Sequence, residues 1–403
     1  MPNAAPGGAP AVSEEEAAVL DLIDAADLVA LTQALVRTPG HNPPGEEEAT
    51  AQVLAQACRE RGLLVESTPV APGRPNLSAT LPGGTGPGLL LLGHTDVVPP
   101  GLGWSADPYE GGVRDGRLYG RGTADMLGGL ACCVVALEAL RRSGRALSGP
   151  VELAALVDEE ETGLGIRHYM AGDRSGFLGC VVAEPTDLQT IIAARGDAYV
   201  EVTVHGVAAH SGRPDDGRNA IYGVARIIEE LRAWHVELKE HPHPLVGPPT
   251  WSVGLVDGGQ GTSTVPARAR LSADRRLLPG EDADEVLAAV RARLGSLGLE
   301  RDGLRVEVEM PMSMPGFETA ADHPLVATTD RALQECGGPG LGLAGWTAAC
   351  DGGFVARDAG VPTLVLGPGS VNDQAHRPDE SVSVAELVVA ARTYALLALR
   401  LLR

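Results

Sequence analysis

Five short stretches place histidine or acid side chains where an apolar run ends. His94 and Asp96 follow Leu89-Leu-Leu-Leu-Gly93. Asp125 closes Tyr119-Gly-Arg-Gly-Thr-Ala-Asp and opens a helical run. Asp158, Glu159, Glu160 and Glu161 follow the mostly apolar run Val151-Glu-Leu-Ala-Ala-Leu-Val157. Glu184 follows Gly179-Cys-Val-Val-Ala, and His376 leads Ala375-His-Arg-Pro-Asp-Glu380 after the loop Gly367-Pro-Gly-Ser. Imidazole nitrogen and carboxylate oxygen are what a zinc-type ion takes, and a catalytic site leaves a position open for water. In a sheet covered on both faces such sites gather at the carboxyl ends of strands. Two residues apart in an extended stretch, His94 and Asp96 point the same way, and a carboxylate so placed suits the orienting of a ligand histidine. Neighbours in the acid run would face opposite ways, so that one carboxylate holds a metal while the next holds the attacking water. Singly, each stretch has a plainer reading: a structural histidine, a helix cap at Asp125, a solvated acidic loop. Together they point to metal-assisted hydrolysis.

The elements that must carry these side chains are legible as hydrophobic patterns. Residues 13–61 read as helical, broken at Thr38-Pro-Gly-His-Asn-Pro-Pro-Gly45. Residues 88–93, 151–157 and 179–183 are apolar without polar alternation, and residues 125–143 form an Ala/Leu/Val-rich helix. Such strands, spaced by helices, imply a mostly parallel sheet covered on both faces. The character changes near Ala198. Residues 199–205 alternate, and a helix at 219–239, strands near 252–256 and 267–273, a helix at 282–294 and a strand at 304–310 follow. This β-α-β-β-α-β order predicts a small ferredoxin-like unit inserted in the larger one. After Met310 the first pattern resumes, with helices at 324–335 and 384–402 and a strand at 362–366. The expected organisation is α/β: a tail over 1–12, a catalytic domain from 13–196 and 311–403, and an inserted domain over 197–310.

Composition removes several function classes. The single lysine is Lys239, in the polar run Glu-Leu-Lys-Glu. A pyridoxal phosphate enzyme needs a buried Schiff-base lysine, and a P-loop needs one on the phosphates. No G-x-S-x-G elbow marks a serine hydrolase. A net charge of −21 leaves little to neutralise nucleic-acid phosphates. No apolar run reaches bilayer length, and the N-terminus lacks the basic start and apolar core of a signal peptide. The six cysteines form no C-x-x-C pair, which fits free thiols in a reducing cytoplasm.

The motifs Gly93-His-Thr-Asp-Val-Val-Pro, Gly120-Arg-Gly-Thr-Ala-Asp-Met, Asp158-Glu-Glu, Glu184-Pro-Thr, Gly206-Val-Ala-Ala-His-Ser-Gly-Arg-Pro, Asp274-Arg-Arg-Leu-Leu-Pro-Gly and Ala375-His-Arg-Pro-Asp-Glu run in order along the chain. In this the sequence resembles the di-zinc aminoacylase and carboxypeptidase family, which includes acetylornithine deacetylase, succinyl-diaminopimelate desuccinylase, glutamate carboxypeptidase and related dipeptidases. The resemblance implies a metallopeptidase-type catalytic domain with an inserted lid and dimerisation domain. It implies two divalent ions, zinc first with cobalt or manganese as alternatives. Asp125 would bridge them, with His94 and Glu184 completing one site and Glu160 and His376 the other. Glu159 would be general base and acid, Asp96 would orient His94, and His210 would stabilise the oxyanion from the partner subunit of a homodimer. Arg276 would bind the substrate carboxylate, with Ser263, Gly367 and Gly369 as further substrate contacts. The expected substrate is an N-acyl amino acid or short peptide with a free carboxylate, a carboxypeptidase or dipeptidase being the nearest alternative. Three departures bear on the substrate: Ser263 stands where relatives often carry Asn, Leu127 where many carry Lys, and Thr347-Ala-Ala-Cys-Asp replaces the commoner Thr-Asp-Ala.

Overall fold

A computed structural model describes residues 12–403, so residues 1–11 of the expected tail lie outside the described residues. The chain forms two compact units. One comprises the chain up to Ile192, Thr319–Ala344 and Phe354–Arg403; the other comprises Ala193–Glu318 and Gly345–Gly353. The main strands in chain order are β1 (Leu64–Ala71), β2 (Arg74–Leu81), β3 (Gly88–His94), β4 (Val151–Leu156) and β5 (Phe177–Val182). The second unit then contributes β6 (Gly196–His205), β7 (Thr250–Gly258), β8 (Arg268–Leu277) and β9 (Arg305–Met314), and β10 (Thr363–Val365) returns to the first.

In the first unit the strands lie in the order β10-β5-β3-β4-β2-β1. The four strands from β10 to β4 are parallel, and β2 and β1 continue the sheet antiparallel. Every residue of β3 is buried, as expected of a strand covered on both faces. The helix Leu127–Ser143 is buried over most of its circumference and packs against the helices Ala25–Val36 and Val384–Leu401. It crosses the sheet closely at Gly129, where a Cβ would stand 2.2 Å from the carbonyl oxygen of Ala183; only glycine permits that approach. The β1-β2 hairpin has no counterpart in the sequence reading. Its signal was the Pro-Gly turn at 72–73, before the alternation of buried Leu77, Ala79 and Leu81.

The second unit is a four-stranded antiparallel sheet in the order β7-β8-β6-β9. Ala198, Val200, Val202 and Val204 alternate onto one face of β6. They pack with Val224, Ile227 and Leu231 of the helix Ala220–Leu238 and with Val286, Val290 and Leu294 of the helix Ala283–Ser296. Asn219 and Asp282 cap those helices by accepting backbone N–H groups. No described helix is long and apolar enough to cross a membrane.

Candidate metal centre

Three adjacent parallel strands end together: β5, β3 and β4. Their last residues deliver Glu184, His94 and the Asp158-Glu-Glu stretch side by side, and Asp125 arrives at the start of the helix Leu127–Ser143. His94 Nε2 lies 3.2 Å from Asp125 Oδ1, 3.2 Å from Glu184 Oε1 and 4.0 Å from Glu159 Oε2. From the other side His376 Nε2 lies 3.4 Å from Asp125 Oδ2 and 3.0 Å from Glu160 Oε2. Asp125 therefore faces both imidazoles, one with each oxygen. His94, Asp125 and Glu160, and likewise His94, Glu159 and Glu184, offer donor atoms within 4.8 Å of one another. Glu159 is close enough to ligate, but it stands farther from His94 than Asp125 and Glu184 do.

The acid run is not extended. Asp158 takes a left-handed conformation, φ 68°, and turns the chain. Its side chain accepts from Thr162 Oγ1 and, at 3.1 Å, from the N–H of Leu164, while the N–H of Gly163 donates to its carbonyl at 2.7 Å. The opposite facing of Glu159 and Glu160 thus comes from a turn and not from strand alternation.

His94 Nδ1 is 3.0 Å from the carbonyl oxygen of Asp96, nearer than the 3.6 Å to its carboxylate. Main chain, more than side chain, fixes the ring. The Asp96 carboxylate instead accepts the backbone N–H groups of Glu159 (3.2 Å) and Glu160 (3.1 Å) and the amide of Asn42 (2.9 Å). Asn42 also donates to Asp158 Oδ1 at 3.0 Å, as does Arg74 at 2.7 Å, and Arg74 is held in turn by buried Glu47.

Charge explains what this cluster can hold. With Nδ1 donating to the Asp96 carbonyl, a neutral His94 ring turns its Nε2 lone pair onto two carboxylates, an arrangement that a proton on the ring or a metal cation between them relieves. Burial works against a charged His94, yet Glu184, Asp125 and Asp96 outweigh it and hold the imidazole well above its ordinary value. Hydrogen bonds to Asp125 and then Glu160 push His376 up to about 10. Burial and the charge of Asp125 raise Glu184 to about 7 and also raise Glu160. Burial would raise Asp125, but His376 and His94 hold it below the usual carboxylate range. The imidazoles thus act as cations among Asp125, Glu160 and Glu184. Three carboxylates and two imidazoles are a donor set that suits divalent zinc-type ions.

Gly367 and Gly369 stand behind Glu184. The N–H of Gly367 donates to Thr186 Oγ1 at 3.2 Å, its carbonyl accepts from the N–H groups of Thr186 and Leu188, and the N–H of Gly369 donates to Glu386 at 2.8 Å. Gly367 is thus spent on the loop after Glu184, and the Gly369 N–H on the helix Val384–Leu401. His210, Ser263 and Arg276 belong to the second unit. There the exposed His210 pairs in a β-bridge with Thr264, and the carbonyl of Ser263 accepts the N–H of Ser211 at 3.0 Å. Arg276 bonds to Asp274 at 3.0 and 3.2 Å and approaches Asp197 at 3.4 Å. Sequence reasoning missed Asn42, Glu47 and Arg74, and gave Glu380 no role.

Residues 90–400 match the family model described as Peptidase family M20/M25/M40, and the chain belongs to that family. It is a hydrolase of this metal-dependent class. Among curated relatives, the acetylornithine deacetylase of Proteus mirabilis (strain HI4320) is 36% identical over 353 residues, covering 84% of this chain and 86% of that protein. The acetylornithine deacetylase of Edwardsiella ictaluri (strain 93-146) is 33% identical over 377 residues, 91% of this chain and 95% of that protein. In fold the chain is similar to the M20 family metallo-carboxypeptidase Sso-CP2 from Sulfolobus solfataricus, with TM-score 0.74, 19% identity and coverage of 96% and 98%. It is also similar to the YXEP protein of Bacillus subtilis, a dinuclear metal binding peptidase, with TM-score 0.71, 17% identity and coverage of 94% and 98%.

Proposed function

We propose that the chain hydrolyses the amide bond of an N-acyl amino acid, or of a short peptide, that bears a free carboxylate. The observation that carries this reading is the Asp125 carboxylate set between His94 and His376, with Glu160 and Glu184 flanking and Glu159 beside them. Asp125 would bridge two divalent ions, zinc by preference, with His94 and Glu184 on one side and Glu160 and His376 on the other. Bound there, the ions would polarise the scissile carbonyl and lower the pKa of water from 15.7 to roughly 7. Glu159 takes the proton as the water oxygen bonds to the carbonyl carbon, and returns it to the nitrogen as the C–N bond breaks. The relatives named acetylornithine deacetylases favour an acyl amino acid over a longer peptide.

In the second unit, His210 Nδ1 accepts the N–H of Gly212 at 3.0 Å. The neutral ring then carries its proton on Nε2, and an exposed N–H donor suits a developing oxyanion. Arg276 keeps 30% of its side chain exposed, and Asp274 presets its guanidinium for a carboxylate. We assign a homodimer formed through this unit, with His210 acting in the partner's site: β7 is a sheet edge that exposes Leu255 and Val256. The six cysteines, none of them in a disulfide, suit a reducing cytoplasm. The test is exhaustive chelation followed by zinc or cobalt, assayed on acetyl-, succinyl- and formyl-amino acids and on dipeptides. Activity should vanish and return, with an acyl amino acid turned over best. Full activity in metal-free protein would end the reading, and a preference for dipeptides would shift it to a dipeptidase.

A further inference from the structure

We infer that Glu380 is the positioning residue that holds Asp125 in place for bridging, and that it does so before any cation arrives. Glu380 is fully buried. Its Oε1 accepts the N–H of Ala124 at 2.8 Å and that of Asp125 at 3.1 Å. Its Oε2 accepts the N–H of Gly122 at 3.1 Å and pairs with Arg121 Nη1 at 2.5 Å. A carboxylate has about four acceptor positions, and here four donors from one turn, residues 121–125, take them. The carbonyl of Glu380 adds a fifth tie by accepting the N–H of Gly120 at 2.9 Å.

The same short loop carries His376. Between the two, Asp379 accepts the N–H and hydroxyl of Ser105, and beyond Glu380 the strand Ser381–Ser383 pairs with Arg117–Tyr119. The segments that supply Asp125 and His376 are therefore zipped together next to the site, with Glu380 at the fastening point. The arrangement puts a further buried acid near Asp125, where burial and the like charge of Asp125 both work against it. Arg121, itself 2% exposed, supplies the opposing charge. A neutral side chain of the same shape would not serve: glutamine offers one acceptor oxygen, and its NH2 would confront either the Ala124 and Asp125 N–H groups or Gly122 and Arg121.

This inference rests on the two-ion reading above, and the experiment separates the two. Metal-free wild type, Glu380→Gln and Glu380→Asp are titrated with zinc against a chromophoric chelator. Each is also loaded with cobalt for its visible spectrum, and thermal unfolding is followed in the metal-free state. The inference expects two ions in wild type. In Glu380→Gln it expects at least one ion bound about tenfold to a hundredfold more weakly, the usual cost of losing a ligand's outer support, with an altered cobalt spectrum and a melting temperature that is lowered but still well above the temperature of the titration. Two ions bound with wild-type affinity and spectrum in Glu380→Gln overturn it and leave the metal reading standing. No ion bound by wild type overturns both. Should neither variant fold, amide exchange of metal-free wild type decides: protection at Gly122, Ala124 and Asp125 supports the clamp, and exchange as fast as in an open loop rejects it.

Discussion

Asp96 Oδ1 holds the backbone N–H of Glu159 at 3.2 Å. Its second oxygen takes that of Glu160 at 3.1 Å. One buried carboxylate therefore sets the position of both the proposed base and a proposed ligand. Burial opposes its charge, but His94, Asn42 and the Glu160 N–H hold the carboxyl below its usual value, so it stays an acceptor on both oxygens. Asp96→Asn puts an NH2 against one of these N–H groups. We expect kcat to fall roughly 10–100-fold, as for other supports of metal ligands. Steady-state kinetics with metal analysis checks this, and an unchanged kcat would remove Asp96 from the machinery.

Glu159 and Glu160 are neighbours with different expected losses. Glu159→Gln should leave metal content nearly unchanged and lower kcat on the order of 10²–10⁴, the general acid–base contribution. Glu160→Gln should lower metal occupancy first. Metal analysis that finds the reverse would exchange the two roles.

Metal affinity should rise with pH. His94 is held above its ordinary value, His376 lies near 10 and Glu184 near 7 in the metal-free protein. At neutral pH these groups hold protons that an incoming ion must displace. A lower pH favours the protonated, metal-free form, so affinity falls as pH falls. Calorimetry in buffers of different ionisation enthalpy should register protons released per ion bound; zero release would contradict the assignment.

Stability should have an acid limb traceable to Glu16. Its carboxylate accepts Arg400 at 2.9 and 3.2 Å and Arg403 at 2.9 Å, anchoring the helix Glu14–Leu20 to the C-terminal helix. The hydrogen bond from Arg400 is the main cause that lowers Glu16 to about 2, from 4.5. A folded-state pKa below the unfolded one stabilises above pH 4.5, and the stabilisation is lost as pH falls towards 2. Glu16→Gln should cost about 1–3 kcal/mol at neutral pH and flatten the dependence over that window. Urea unfolding at several pH values measures both effects.

The proposed dimer makes a prediction at β7. A lysine on an exposed edge strand opposes pairing with a second edge. Leu255→Lys should yield monomers in sedimentation, with the second unit still folded by circular dichroism. A variant that sediments as wild type would move the interface elsewhere.

Four of the five proposed ligands were legible because each follows an apolar strand or opens a helix, and those patterns survive in sequence; His376, after a Pro/Gly loop, was legible only through its motif. The central strands and the strands and helices of the inserted segment were read from the same periodicities, to within a few residues, but nothing in that reading assigned Gly345–Gly353 to the second unit. What escaped depends on contacts between distant segments. Asn42 lies in a Pro/Gly loop that read only as a break between helices, and its value appears once Asp96 and Asp158 fold against it. Arg74 and Glu47 look like ordinary surface charges until Arg74 is seen joining buried Glu47 to the Asp158 turn. The left-handed turn at Asp158 has no marker in a run of acids, because glycine is the residue that usually announces it.

The side-by-side ending of β5, β3 and β4 governs which length changes the gene can accept. Neighbouring strands are spaced about 4.8 Å apart, and successive residues point to opposite faces. A single-codon insertion within β3, β4 or β5 would therefore turn Glu184, His94 or the 159–160 pair away from its neighbours and break the hydrophobic register at the same stroke. The exposed turn at Gly144, past the end of the helix Leu127–Ser143, carries no such constraint. A scan of one-residue insertions and deletions should thus divide sharply, with near-total intolerance in three short strands and their first following residues, and tolerance at the Gly144 turn.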